Sequence, residues 1–191
     1  MRIAIYSGSF NPVHSGHLEI SKFLIARSLV DEVWLLVSKI NPLKQDSPPA
    51  SDEHRLKMAS ITVENHPEIR VSDFELHLPA PTYTNQTLRK LKEQFPQHQF
   101  VLIIGADNWN IFHNWGNYQE ILDGYEILVY PREGEEINEK SLPENVKFLA
   151  DAPLFPVSST DIRQRLKHGS NLQGLIPSAV MDYIRINNLY G

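Results

Sequence analysis

Gly8-Ser9-Phe10-Asn11-Pro12-Val13-His14-Ser15-Gly16-His17-Leu18 follows the apolar run Ile3-Ala4-Ile5-Tyr6 after the single residue Ser7, and its residue types suit the holding of a phosphate. Gly8 can take backbone angles closed to other residues, Pro12 stiffens the loop, and Gly16 clears space where a helix would begin. The first amides of a helix have no intrahelical partner and so favour an anion. His14 and His17 add two side-chain donors that can be neutral or charged near pH 7, able to follow charge developing on a reacting phosphate. Taken alone, the H-x-G-H spacing leaves a surface histidine pair and a metal half-site open as well.

A second anion-ready helix start lies far along the chain. From Pro156 to Gly169 the sequence carries an N-cap cluster, a helix and a glycine stop. The hydroxyls of Ser158, Ser159 and Thr160 are more than capping requires, and Arg163, one turn in, can make bidentate contacts to phosphate oxygens. The competing reading is a well-capped surface helix with Ser159 or Thr160 as its cap. A nucleoside triphosphate needs several phosphates gripped at once, which two helix N-termini meeting across one cleft would supply.

The elements that must position these residues read as alternating strands and helices. Short β-branched runs recur at Ile3 to Tyr6, Val33 to Val37, Ile69 to Val71, Phe100 to Ile104 and Ile127 to Tyr130. Helical patterns are expected from Gly16 to about Leu29, Ser51 to about Glu64, Thr84 to about Gln94, Ser159 to Lys167, and after Pro177. Such alternation implies an α/β fold with a parallel sheet and helices on both faces. The runs VWLLV and FVLII lack polar alternation, as expected of strands buried on both sides. Ligands of open parallel sheets bind beyond the carboxyl ends of the strands, where the glycine-histidine segment should meet the proline-rich loops Asn41 to Pro49 and Leu78 to Thr84. The acidic, glycine-bearing segment from Arg132 to Val146 reads as a solvated excursion.

The chain of 191 residues fits a single domain over 1–191, with a small C-terminal helical part from about residue 158. A net charge of −5 argues against broad nucleic-acid binding, and no apolar run approaches the ~20 residues of a membrane span. Cysteine is absent, which excludes a disulfide framework, a thiolate nucleophile and cysteine-held zinc; a cytoplasmic setting is expected. The remaining histidines have no spacing for a metal triad, so no protein-held metal is expected.

Taken together, GSFNPVHSGH and SSTDIR resemble the paired signatures of the nucleotidyltransferase superfamily, whose T/HxGH and SSTxxR-type motifs lie on a Rossmann-like sheet. Gly105-Ala106-Asp107, Trp115, the segment Pro81 to Leu88, and the ending from Leu175 to Tyr190 are similar to bacterial nicotinate-nucleotide adenylyltransferase. That resemblance implies a reaction of ATP with nicotinate mononucleotide to give deamido-NAD and pyrophosphate, with Mg2+ carried by the ATP phosphates. It gives His14 and His17 the ATP phosphates, with His17 at the α-phosphate, and gives Ser158, Ser159, Thr160 and Arg163 the β- and γ-phosphates. The backbone around Gly8, Ser9 and Phe10, together with Gly105, would line the nucleotide, and Asp107 would meet ribose hydroxyls. Lys44 would balance phosphate charge, making His14, His17, Arg163 and Lys44 the implied catalytic set. Tyr83 and Thr84 would meet the nicotinate carboxylate, and Trp115 would stack on the pyridine ring. Each of these has a plainer competitor, with Trp115 and Tyr83 as packing residues and Asp107 as a helix cap. Ser7, Asn11, Leu43, His77 and Leu78 depart from the pattern, where the family commonly has glycine, aspartate, histidine and, at the last two positions, an arginine. No nucleic acid or membrane partner is implied, and monomer and homo-oligomer are both open. The rival readings are another small-molecule transferase such as pantetheine-phosphate adenylyltransferase, and a nucleotide sensor without turnover.

Overall fold

Six parallel strands form the sheet, in the order β3-β2-β1-β4-β5-β6. They are β1 (Arg2–Gly8), β2 (Glu32–Val37), β3 (Ile69–Ser72), β4 (Gln99–Gly105), β5 (Glu126–Tyr130) and β6 (Val146–Phe148). The helices are α1 (Ser15–Ala26), α2 (Asp52–Val63), α3 (Thr84–Gln94), α4 (Ala106–Asn110), α5 (Tyr118–Gly124), α6 (Ser159–Lys167) and α7 (Ser178–Ile186). The computed structural model describes residues 1–39 and 50–191, so Lys44 and the loop from Asn41 to Pro49 lie outside the described residues.

The apolar runs make these strands because consecutive side chains enter opposite layers. Ala4 and Tyr6 join one core cluster with Ile20 and Leu24 of α1, Met58 of α2, Ile162 of α6 and Val180 of α7. Ile3 and Ile5 join the other, with Leu88 and Leu91 of α3, Ala106 of α4 and Ile121 of α5. The sheet is thus covered on both faces, as the uninterrupted hydrophobic runs require. Helix α1 stops at Ala26, short of Leu29, because the chain turns at Ser28 with φ +51°. The segment read as a solvated excursion ends where β6 begins, at Val146, which pairs with Ile127 of β5.

The strand order reverses between β1 and β4, the topological switch point of such sheets. The ladders β1–β2 and β4–β5 run to the strand ends, at Gly8 with Val37 and Gly105 with Tyr130. The β1–β4 ladder stops earlier, at Ile5 with Leu102. The carboxyl ends of the two central strands therefore carry Gly8 and Gly105 past their shared pairing, and the loops beyond them flank one crevice.

Candidate active site

Phe10 takes φ +45°, a left-handed backbone that a bulky residue adopts at a cost. Burial of its ring, 1% exposed, offsets that cost: it meets Tyr6 and His17 edge-on, with centroids 5.9 and 4.9 Å away. Its side chain belongs to the core, so only the backbone of Gly8, Ser9 and Phe10 is left to line a ligand. His14 caps α1 and His17 lies in the first turn, their rings 3.7 Å apart at 33°. A Cβ on Gly16 would meet the His14 ring at 3.0 Å, so glycine is what lets that ring lie over the helix start.

Both imidazoles are buried, at 2% and 8% exposure. The backbone N–H of His14 donates to His17 Nδ1 at 3.1 Å, so the neutral His17 ring carries its proton on Nε2. Burial, and then the charge of Arg132, lowers the pKa of His14 to about 4. Burial, then His14 and Arg132, holds His17 well below its ordinary value. Of the two charge states open to them near pH 7, both rings therefore hold the neutral one in the free protein, because leaving water penalises the imidazolium.

Helix α6 docks its start on the first loop. Ser159 Oγ donates to Pro12 O at 2.9 Å, and Arg163 Nη1 donates to Asn11 O at 2.8 Å. Arg163 Nη2 also donates to Thr160 Oγ1 at 3.1 Å. Ser158 caps the helix in a reciprocal box with Asp161: the Asp161 N–H donates to Ser158 Oγ at 3.1 Å, and the Ser158 N–H donates to Asp161 Oδ2 at 2.9 Å. Ser158 is thus the cap that sequence reasoning gave to Ser159 or Thr160. The α6 start thus meets the loop that leads into α1. Asn11 holds the junction from its other side, its Oδ1 accepting from Tyr190 Oη at 2.7 Å and from the Ala50 N–H at 3.2 Å.

On the β4 side, Gly105 ends the strand and Asp107 sits in the first turn of α4. A Cβ at Gly105 would fall 2.3 Å from Asp107 Oδ1 and 3.0 Å from Arg132 Nε, so both side chains fold back over the glycine. Arg132 Nε stands 3.6 Å from Asp107 Oδ1, beyond hydrogen-bond reach. Its guanidinium lies over the Tyr130 ring, 5.2 Å from the centroid, and Tyr6 Oη donates to Tyr130 Oη at 2.9 Å beneath it.

Tyr83, Thr84 and Trp115 form another group. Tyr83 is 47% exposed at the start of α3, and its ring crowds Gly116, where a Cβ would meet it at 3.0 Å. Thr84 opens α3, and half-buried Trp115 packs on Phe112 with centroids 5.3 Å apart. Gly116 joins Tyr83 to the tryptophan's loop; no hydrogen bond between described residues ties this group to the histidines. A cavity of about 740 Å3 beside Trp34, Phe74 and Phe95 lies away from these residues, and its side chains have partners, Lys90 with Glu93, His77 with Asp73 and Arg70 with Glu32. Among the described residues no three histidine or carboxylate groups converge as a metal site, and no helix is long and apolar enough to cross a membrane.

The roles of three residues of this region were not readable from the sequence. Arg132 sits in a stretch dominated by acids and glycine, and Asn11 is recognisable only through Tyr190, 179 positions away. Arg55 is fully buried, donating from Nη1 to Ser9 O at 2.6 Å and to Ser38 O at 2.9 Å, where an arginine in an amphipathic helix would be read as surface.

Residues 5–165 match the family model described as cytidylyltransferase-like. The chain is 44% identical over 179 residues to a Bacteroides fragilis protein named probable nicotinate-nucleotide adenylyltransferase, spanning 94% of this chain and 89% of that one. A Flavobacterium johnsoniae protein of the same name is 42% identical over 191 residues, spanning 100% of this chain and 99% of its own. In fold, the chain is similar to the Plasmodium falciparum nicotinic acid mononucleotide adenylyltransferase complexed with NaAD, at a TM-score of 0.83 and 23% identity. That match covers 99% of this chain and 97% of the other.

Proposed function

The chain belongs to the nicotinate-nucleotide adenylyltransferases of the cytidylyltransferase-like family, and on that premise we propose that it transfers the adenylyl group of ATP to nicotinate mononucleotide, releasing deamido-NAD and pyrophosphate in NAD biosynthesis. The observation that carries this reading is the docking of the α6 start on the histidine loop through Ser159 and Arg163. It brings the α6 N-terminus and a guanidinium to the loop that leads into α1, an arrangement that suits a triphosphate.

The reaction needs no nucleophile from the protein. A phosphate oxygen of the mononucleotide attacks the α-phosphorus of ATP, the bond from that phosphorus to the α–β bridging oxygen breaks, and pyrophosphate leaves with the electron pair. Positioning and charge stabilisation then carry the rate. His17 presents Nε2–H to the α-phosphate, and His14 supports it from the helix start. Nearby phosphate charge raises both imidazole pKa values, so the rings take up positive character as charge builds on the reacting group. Arg163, Ser158, Ser159 and Thr160 exchange their present partners for β- and γ-phosphate oxygens. Gly8, Ser9, Phe10 and Gly105 line the nucleotide with backbone, and Asp107 accepts from ribose hydroxyls. Tyr83 and Thr84 hold the nicotinate carboxylate at the α3 start, Trp115 stacks on its ring, and Lys44 balances phosphate charge. The donor set suits a metal delivered by the nucleotide, since Asp107 is the carboxylate in the crevice with an unpartnered oxygen and no cluster accompanies it. Magnesium bound to the triphosphate supplies neutralisation of the leaving charge. The reading sets the enzyme in the cytoplasm as a single domain acting on small molecules, without nucleic acid or membrane, as a monomer or homo-oligomer.

Pyrophosphate release from ATP and Mg2+ is measured with nicotinate mononucleotide, nicotinamide mononucleotide and phosphopantetheine in turn. Turnover with nicotinate mononucleotide is expected. Turnover with phosphopantetheine alone overturns the reading, and ATP binding without turnover on any acceptor makes the chain a nucleotide sensor.

A further inference from the structure

Glu75 is a buried carboxylate that the phosphate cradle does not use. It stands in the single 3-10 turn Phe74–His77 that follows β3, and its Oε2 accepts from Ser7 Oγ at 3.0 Å. Ser7 continues the Ile3 and Ile5 side of β1, so by strand alternation its side chain leaves the sheet on the face that α3 covers, opposite that of α1 and α6. Glu75 therefore sits near the strand ends on the side where α3 begins at Thr84. Two cations face it there, the Lys39 ammonium from the chain leaving β2 and the Arg55 guanidinium from α2. Burial raises the Glu75 pKa, with the Ser7 hydroxyl, Lys39 and Arg55 opposing it. Taking a carboxylate out of water often costs as much as its partners return, so what such a cluster supplies is a fixed position more than strength.

We propose that Glu75 is a positioning residue for the acceptor substrate, tying the loop that enters α3 to the end of β1. The proposal rests on the function given above. Leu78 is the link: its N–H donates to Glu75 O at 3.2 Å, and its carbonyl accepts from Lys39 Nζ. Five positions further on come Tyr83 and then Thr84, the residues given the nicotinate carboxylate. Glu75 holds Lys39 by charge, and Lys39 holds Leu78. Ser7 anchors the carboxylate to the strand whose next residues, Gly8 to Phe10, line the nucleotide. Arg55 closes the arrangement, because the cation that faces Glu75 also donates to Ser9 O and Ser38 O and so joins the phosphate loop to the residue before Lys39. One carboxylate thus sets the spacing between the two substrates. In an in-line transfer that spacing decides the rate, and a misplacement of ~1 Å costs on the order of 100-fold.

The test uses Glu75→Gln, which keeps an acceptor for Ser7 and removes the charge, together with Lys39→Met and the double variant, all in the full chain. Steady-state kinetics, melting temperature, calorimetric binding of a non-hydrolysable ATP analogue and hydrogen exchange of the amides between 78 and 84 are measured. Glu75→Gln is expected to lower kcat/KM for the acceptor about 10-fold or more, with analogue affinity near that of the parent. Lys39→Met should show a smaller loss of the same kind, and the double variant should be no worse than Glu75→Gln, because the two side chains act through one contact. Parental acceptor kcat/KM in Glu75→Gln overturns the proposal, as do losses that multiply in the double variant. An equal fall in acceptor kcat/KM and analogue affinity that follows a lowered melting temperature also overturns it, making Glu75 a packing residue. Lys39→Met, made at a half-buried side chain, carries the same reading where Glu75→Gln does not fold. If the parent turns over no acceptor, the function above fails on its own and exchange still reads the tie: faster exchange confined to the 78–84 amides in the variants supports it, and parental exchange refutes it.

Discussion

His14 and His17 reach the crevice by being buried, and burial sets their behaviour with pH. As pH falls below about 6.5, the imidazole of His14 in the unfolded chain takes a proton, while the folded one resists until about 4. The unfolded state then binds more protons, so stability is lost over that window and is flat with respect to His14 above it. A gap of this size corresponds to about 3 kcal/mol for His14, and the depressed His17 acts in the same direction. Urea midpoints of the ligand-free protein at pH 7, 6 and 5 should fall stepwise, and His14→Asn should fall less. An equal slope in the two proteins would show that His14 does not carry the effect. Catalysis makes a separate demand on the other ring. For His17→Ala we expect kcat to drop about 100-fold or more while ATP affinity changes far less, because the Nε2–H contact strengthens only as charge develops. Paired kinetics and binding titrations measure this, and equal losses in both would make His17 a ground-state ligand.

At the level of elements, α6 is short and mostly solvated, with Ile162 as its fully buried anchor, so its position depends on its first turn. The box between Ser158 and Asp161 satisfies two of the orphan amide positions there, and Ser159 and Arg163 fix the turn to the loop. Ser158→Ala should cost about 1 kcal/mol in chemical denaturation, the usual worth of a cap. It should also raise the ATP KM several-fold with the acceptor KM little changed. A stability loss with an unaltered ATP KM would assign Ser158 to capping alone. The long elements were legible because burial on both faces leaves continuous apolar runs in β1, β2 and β4, and because α1 and α7 repeat apolar residues at helical spacing. β6 and α4 were not. Three residues of β6 and five of α4 hold too few positions to show a period, and they form because tertiary contacts order them.

Across the whole molecule, the phosphate loop is held by parts of the chain that sequence reading treats as unrelated. Arg55 ties it to α2 and to the end of β2, and Tyr190 ties it to the segment after α7. Glycines, histidines and the serine-threonine run were readable because their types carry the chemistry. Asn11, Arg55 and Arg132 were not, because each acquires its role from a partner that only the fold brings near. Tyr190→Phe removes one hydroxyl and leaves the ring in place. It is expected to raise the ATP KM several-fold through the loosened Asn11 and Arg163, with a stability loss of about 1 kcal/mol. Parental kinetics for this variant would show that the Asn11 contact merely closes the surface.

The bonds between α6 and the first loop join residues 147 and 152 positions apart. A ribosome adding roughly 5–20 residues per second makes the histidine loop about 7–30 s before the residues that complete it. Through that interval the nascent chain can order its early strands, yet ATP has no finished cradle to enter. Nucleotide can stabilise this protein only after its last helices have emerged, so ATP acts on the finished fold and gives the growing chain no help.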